Sequence, residues 1–261
     1  MNLLPPLPLK NRVALVTGCS RRIGIGFAVA SRLAALGADL FIHSYTPYDA
    51  SQPWGADPRG ITTLVDELRA SGRRVENCEA DFSDPDSPSQ VIQAAVSAFG
   101  HVDILVVNHA YSTMSRLEEL TAEQIDIHMQ VNVRAALLLV KEFAAQHDGR
   151  PGGRVILMTS GQHLGPMPDE LAYIASKGAL HQLTRSLSAY LAGRGITVNT
   201  VNPGATDTGY ATENLYEMVR KANPQGRWGQ PEDAARLIAW LTTDDARWIT
   251  GQVINSNGGG L

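Results

Sequence analysis

The chain has 261 residues, 44% of them hydrophobic, and a formal net charge of −4. That balance supports a substantial core and provides no basic field for nucleic acid or an anionic membrane surface. Its two cysteines, Cys19 and Cys78, cannot build a disulfide framework and suit a reducing compartment. No run approaches the roughly 18 apolar residues that a membrane span needs. The start is broken by Pro5, Pro6 and Pro8 and does not read as a signal peptide. The seven histidines show no HExxH spacing and no CxxC occurs, so no metal site is expected. The expectation is a soluble, cytoplasmic protein.

Short β-branched runs alternate with helical stretches. Residues 13–17 read as a buried strand, followed by a glycine turn and a helix through Ala28, Val29, Leu33 and Leu36. A second strand is expected at 40–42, a helix at 61–70, a third strand at 75–80 and a helix at 90–99. The fourth strand falls at 104–107, a long helix at 122–147 and the fifth strand at 155–158. A helix at 173–191 leads into a sixth strand at 196–201, and residues 252–255 supply a seventh. This rhythm predicts right-handed βαβ units: a doubly wound, seven-stranded parallel sheet with helices on both faces, in one domain spanning 1–261. Two stretches break it. Residues 46–60 hold three prolines, Trp54 and two glycines and read as an extended surface loop; residues 205–230 read as a small lid.

In such sheets ligands bind beyond the carboxyl ends of the strands, where the strand order reverses. The turn from Gly18 through Ser20, Arg21, Arg22, Gly24 and Ile25 to Gly26 follows a strand and opens a helix. Glycines allow tight turning and close backbone approach, and free N–H groups at a helix start receive a pyrophosphate. It lacks the Gly-Lys-Ser/Thr ending of a P-loop. The second strand ends at His43 and Ser44 with no carboxylate, while Asp39 lies at its other end. With Arg21 and Arg22 in the turn, this favours NADP over NAD; the lesser alternative is that both arginines are simply solvated.

Tyr173 and Lys177 stand four residues apart, about one helical turn, with Ser160 thirteen residues upstream. A neighbouring ammonium favours ionised tyrosine, so the expectation is that Lys177 lowers the phenol's pKa and makes an acid/base pair for alcohol–carbonyl interconversion. Alone, such a pair is equally an ordinary neighbour pair on an exposed helix face.

Taken together, these residues resemble the single-domain short-chain dehydrogenase/reductases from about Arg12 to Gly259, closest to 3-oxoacyl-carrier-protein-reductase-like members. Thr17-Gly18 with Gly24-Ile25-Gly26 resembles their cofactor turn, although five residues separate Gly18 and Gly24 where the family usually has three. Asp81, with Phe82 beside it, stands where their adenine-contacting aspartate does. Asn108-His109-Ala110 is similar to their fourth-strand motif, with His109 and Tyr111 as departures. Asn132, Ser160, Tyr173 and Lys177 match their catalytic tetrad in order. Pro203, Gly204, Thr206 and Thr208 fall in their nicotinamide-carboxamide segment. Ile249-Thr250-Gly251 and Gly258-Gly259 resemble their carboxyl-terminal signature.

The resemblance implies reversible hydride transfer between NADP(H) and a carbonyl or secondary alcohol. In that scheme Tyr173 is the general acid/base and Ser160 holds the substrate oxygen. Lys177 favours tyrosinate and binds the nicotinamide ribose, and Asn132 keeps a helix kink and a proton-relaying water. It also implies a homotetramer. Substrate contacts are expected from Ser160, Gln162, His163, Met167, Tyr210, Tyr216 and Trp228 around the lid, with His163 meeting a polar or anionic group. The alternatives are a non-catalytic NADP-binding regulatory or scaffold protein, and an isomerase or dehydratase on the same fold.

Overall fold

The apolar runs form the central strands because a parallel sheet is covered there on both faces, so every position of those strands is buried. A computed structural model describes residues 7–260; Pro5 and Pro6, in the proline-broken start, lie outside the described residues. In chain order the strands are β1 (Val13–Val16), β2 (Asp39–Ser44), β3 (Val75–Glu79), β4 (Ile104–Val107), β5 (Gly153–Met158), β6 (Ile196–Asn202) and β7 (Val253–Asn255). They form one parallel sheet in the order β3-β2-β1-β4-β5-β6-β7. The order reverses between β1 and β4, and that opens a crevice at their carboxyl ends.

The α-helices are α1 (Ile25–Ala35), α2 (Thr46–Ser51), α3 (Gly60–Arg69), α4 (Ser87–Phe99), α5 (Ala122–His128), α6 (Ala135–Gln146), α7 (Leu171–Leu191), α8 (Glu213–Ala222) and α9 (Pro231–Thr242). Strand side chains alternate between the faces. Ala14, Val16, Ile104 and Val106 pack with Val29 and Leu33 of α1, Leu64 of α3 and Ile238 of α9. Leu15, Leu105 and Val107 pack with Ile92 of α4, Leu139 and Phe143 of α6 and Leu180 of α7. Phe143 is fully buried, and truncating such a side chain to alanine costs about 3–5 kcal/mol.

Two expectations change. The 46–60 stretch is not wholly a loop: it begins with α2, whose first turn accepts Pro47 because those N–H groups have no helical partner anyway. The helical stretch expected over 122–147 is divided into α5 and α6 by a π-helical turn at Met129–Arg134, which is the kink that the resemblance implied at Asn132. Its surplus residue turns Asn132 inward, where it is 1% exposed.

Candidate active site

β5 and α7 bring three polar side chains to the crevice. Ser160 lies two residues beyond β5 and lines the same cavity as the Tyr173 phenol on the first turn of α7, near enough for its hydroxyl to pull the phenol's pKa down. Tyr173 lines two adjoining cavities of about 470 and about 590 Å3 and so stands where they meet. Lys177 lies one turn further, 2% exposed, with its ammonium 5.6 Å from the Tyr173 ring centre. Its Nζ donates to the Met158 carbonyl at 3.2 Å, and burial pushes its pKa down to about 8.

The sign expected for Tyr173 is not the one found. Burial raises the phenol above its usual value; the Ser160 hydroxyl offsets only part of this, and the Glu170 carboxylate raises it further. The reason is desolvation: the phenolate loses more from burial than it gains from its surroundings, while the Lys177 ammonium is directed at a carbonyl. Tyr173 therefore holds its proton at neutral pH.

Asn132 spends its side chain on structure. Its amide donates to the Tyr111 carbonyl and to the Ser176 hydroxyl, both at 2.9 Å, and its oxygen accepts from the Tyr111 N–H at 2.7 Å. The π-helical turn thereby ties the end of β4 to α7 beside Tyr173. His109 adds a second tie, from Nε2 to the Val131 carbonyl at 3.0 Å, with Nδ1 2.8 Å from the Thr17 hydroxyl. Burial keeps His109 neutral.

The smaller cavity has the features of a dinucleotide cleft. Gly18 has φ +68°, and a Cβ there would stand 2.7 Å from the His109 backbone. A Cβ on Gly26 would stand 2.3 Å from the Gly18 carbonyl oxygen, so this glycine lets α1 close onto the turn. Gly24 caps α1 without a side-chain bond, leaving the first N–H groups of an 11-residue helix for an anion. Asp81, Phe82, Asn108 and Ala110 line the far wall. These residues fit a nicotinamide dinucleotide: glycine cradle, helix start, and a trough leading to Tyr173.

Comparison with known proteins agrees over nearly the full length. A family profile described as Enoyl-(Acyl carrier protein) reductase matches residues 18–260. The uncharacterised oxidoreductase YjdA of Bacillus subtilis is 40% identical, over 96% of this chain and 97% of that one. The NADPH-dependent aldehyde reductase-like protein of Arabidopsis thaliana chloroplasts is 37% identical, over 98% and 96%. A short chain dehydrogenase from Burkholderia cenocepacia, solved in complex with NADP, superposes with a TM-score of 0.86 at 34% identity, covering 97% and 98%. The chain belongs to the short-chain dehydrogenase/reductase family.

Within this dehydrogenase/reductase, not every expected contact reaches the crevice. Ser20, Arg21, Gly24, Ile25 and Thr208 line the smaller cavity, whereas Pro203, Gly204 and Thr206 line the larger one. Ser44 is fully buried, its hydroxyl unpartnered, and does not line either cavity. Arg22 turns away: it pairs with Asp57 and Glu67 and donates to Thr63. Arg21 stays between the two cavities, donating to the Thr208 carbonyl at 3.0 Å, with its guanidinium 5.7 Å from the centre of the Trp54 ring.

On the substrate side Tyr210 and Met167 line the larger cavity. Gln162 instead donates to Thr159, and His163 is exposed and bonded to Asn255. Trp228 is 1% exposed, stacked on Tyr216 and bonded to its carbonyl, so it packs inside the 205–230 stretch. The expectation that Gln162, His163, Tyr216 and Trp228 face the substrate fails because each is occupied by packing or hydrogen bonds elsewhere.

Two carboxylates escaped the sequence reading. Asp49, on α2, lines the smaller cavity and accepts from the Ser20 hydroxyl and the Trp54 indole N–H. It brings an acid to this cavity from a segment read as loop. Glu170 lines the larger cavity. It is the residue immediately before α7, with non-helical backbone, so helical spacing gave no signal for it.

Proposed function

We propose that this protein is an NADP(H)-dependent oxidoreductase that interconverts a small carbonyl compound and its secondary alcohol. The observation that carries this reading is Tyr173 at the junction of the two cavities, with Ser160 beside it on the wall of the larger one. A bound nicotinamide supplies or accepts the hydride. Tyr173 donates its proton to the carbonyl oxygen, and Ser160 holds that oxygen and stabilises the charge growing on it. Lys177, cationic below about pH 8, then stabilises the phenolate left behind. Burial keeps the proton on Tyr173, the form that the reductive half of the reaction needs. Asn132 and His109 position this group by fixing the backbone beneath it. The stretch 205–230 serves as a lid through Tyr210, and the working unit is a homotetramer by likeness to the family.

NADP is supported by Arg21 at the cleft and by the NADP and NADPH named for two of the similar proteins. A reading with NAD is favoured by one observation: Asp49 lies at the same end, suited to accept from ribose hydroxyls. The test is Tyr173→Phe assayed for NADPH oxidation against a ketone panel, with NADPH binding followed by fluorescence. The expected outcome is loss of turnover with binding retained. Turnover close to that of the wild type refutes the catalytic role, and a variant indifferent in every assay of an inactive parent favours a sensor or scaffold.

A further inference from the structure

Several of the polar side chains that line the larger cavity are already spent. Asn202 bonds Asn255 and the Gly204 N–H, and Asn257 bonds the Gly259 N–H and the Gly260 carbonyl. Thr206 bonds the carbonyls of Pro203 and Gly204. Arg21 is the one basic residue among those lining the cavity, and it is committed to the Thr208 carbonyl and the Trp54 ring. Lys177 lies beneath Tyr173 and is bonded to Met158.

Glu170 is different. It lines the cavity at the start of α7, with its backbone engaged to Met167 and Ile174. Its carboxylate neither caps the helix nor makes any hydrogen bond or ion pair among the described residues. It is half-buried, and burial, with Asp169 adding to it, raises its pKa. It shares the wall of this cavity with Tyr173 and Tyr210, and its charge raises the pKa of both. A partly desolvated acid without a partner calls for a donor from the ligand and resists a second negative charge.

We propose that Glu170 determines specificity by selecting carbonyl compounds that carry a hydroxyl group close to the reacting carbon and by rejecting carboxylates. This rests on the reductase reading above. Glu170 and Tyr173 line the same cavity, so a compact ligand whose carbonyl meets the phenol also presents its neighbouring groups to the carboxylate. Such selectivity is effective because an analogue lacking the donor leaves the acid unpaired.

The experiment compares kcat/KM for 4-hydroxy-2-butanone, 2-pentanone and acetoacetate with NADPH, in wild type, Glu170→Gln and Glu170→Leu. The wild type is expected to prefer the hydroxyketone over 2-pentanone by about tenfold or more, the scale of one charge-assisted bond, and to use acetoacetate worst. Glu170→Gln should relieve the rejection of acetoacetate by about tenfold while keeping part of the hydroxyl preference, and Glu170→Leu should remove that preference. Ratios between substrates cancel general damage to the site. Ratios unchanged in both variants overturn the inference.

Binding of 1,3-butanediol, 2-pentanol and 3-hydroxybutyrate to the NADP+-saturated protein, by calorimetry, separates the two levels. Selective diol binding without turnover of any ketone overturns the reductase reading and upholds the role of Glu170. Turnover without discrimination does the reverse.

Discussion

Replacing Lys177 by methionine should abolish reduction yet stabilise the fold. A lysine 2% exposed and pushed from the usual 10.5 to about 8 is charged at a cost. That difference corresponds to about 3 kcal/mol at pH 7. Methionine has similar length and no charge, and it forfeits only the Nζ bond to Met158, worth about 1 kcal/mol. The net expectation is a gain of about 2 kcal/mol at pH 7. The pH dependence identifies the cause. The folded value lies below the unfolded one, so between them the unfolded chain binds more protons and wild-type stability rises with pH. From pH 7 to pH 9.5 the wild type should therefore recover about 2 kcal/mol relative to the variant. Urea unfolding of both proteins at fixed concentration across that range measures this, and the double difference cancels groups common to both. A stability difference independent of pH, or a variant less stable at every pH, refutes the reasoning.

Other outcomes follow from the same geometry. Gly26→Ala places a methyl group 2.3 Å from the Gly18 carbonyl oxygen, and overpacking of this kind should cost about 1–3 kcal/mol and weaken NADPH binding, read by thermal melts and fluorescence titration. Ser160→Ala should lower kcat by about 10²–10³-fold with little change in NADPH affinity, by steady-state kinetics. Arg21→Ala should reduce the NADPH-to-NADH ratio of kcat/KM by about tenfold or more. Arg22→Ala should leave that ratio nearly unchanged, since Arg22 is held by Asp57 and Glu67, and Asp49→Asn should raise it. In reduction, kcat should fall as pH rises through about 8, where Lys177 loses its proton.

The sheet was legible because parallel strands covered on both faces announce themselves as unbroken apolar runs, as Ile104–Val107 does. Ser160, Tyr173 and Lys177 were legible because one strand end and one helix carry all three. Side-chain occupancy was not. His163 and Trp228 look available in sequence, yet each is engaged by residues distant in the chain, Asn255 for the first and Tyr216 for the second. Asp49 was hidden by the prolines around it, which read as loop although Pro47 fits the first turn of a helix. The direction of the Tyr173 shift was out of reach for another reason. Spacing shows that a charge is near but not how much water has been removed, and here burial outweighs the charge.

Hydride transfer dependent on Tyr173 is tested most directly by following the label itself. Wild type and Tyr173→Phe are incubated with NADPH deuterated at C4 and 4-hydroxy-2-butanone, and the product is read by mass spectrometry. Deuterium on the new carbinol carbon with wild type, and next to none with the variant, is the expected result. No label transferred by the wild type from either C4 position, to this ketone or to 2-pentanone, or equal transfer by the variant, contradicts it.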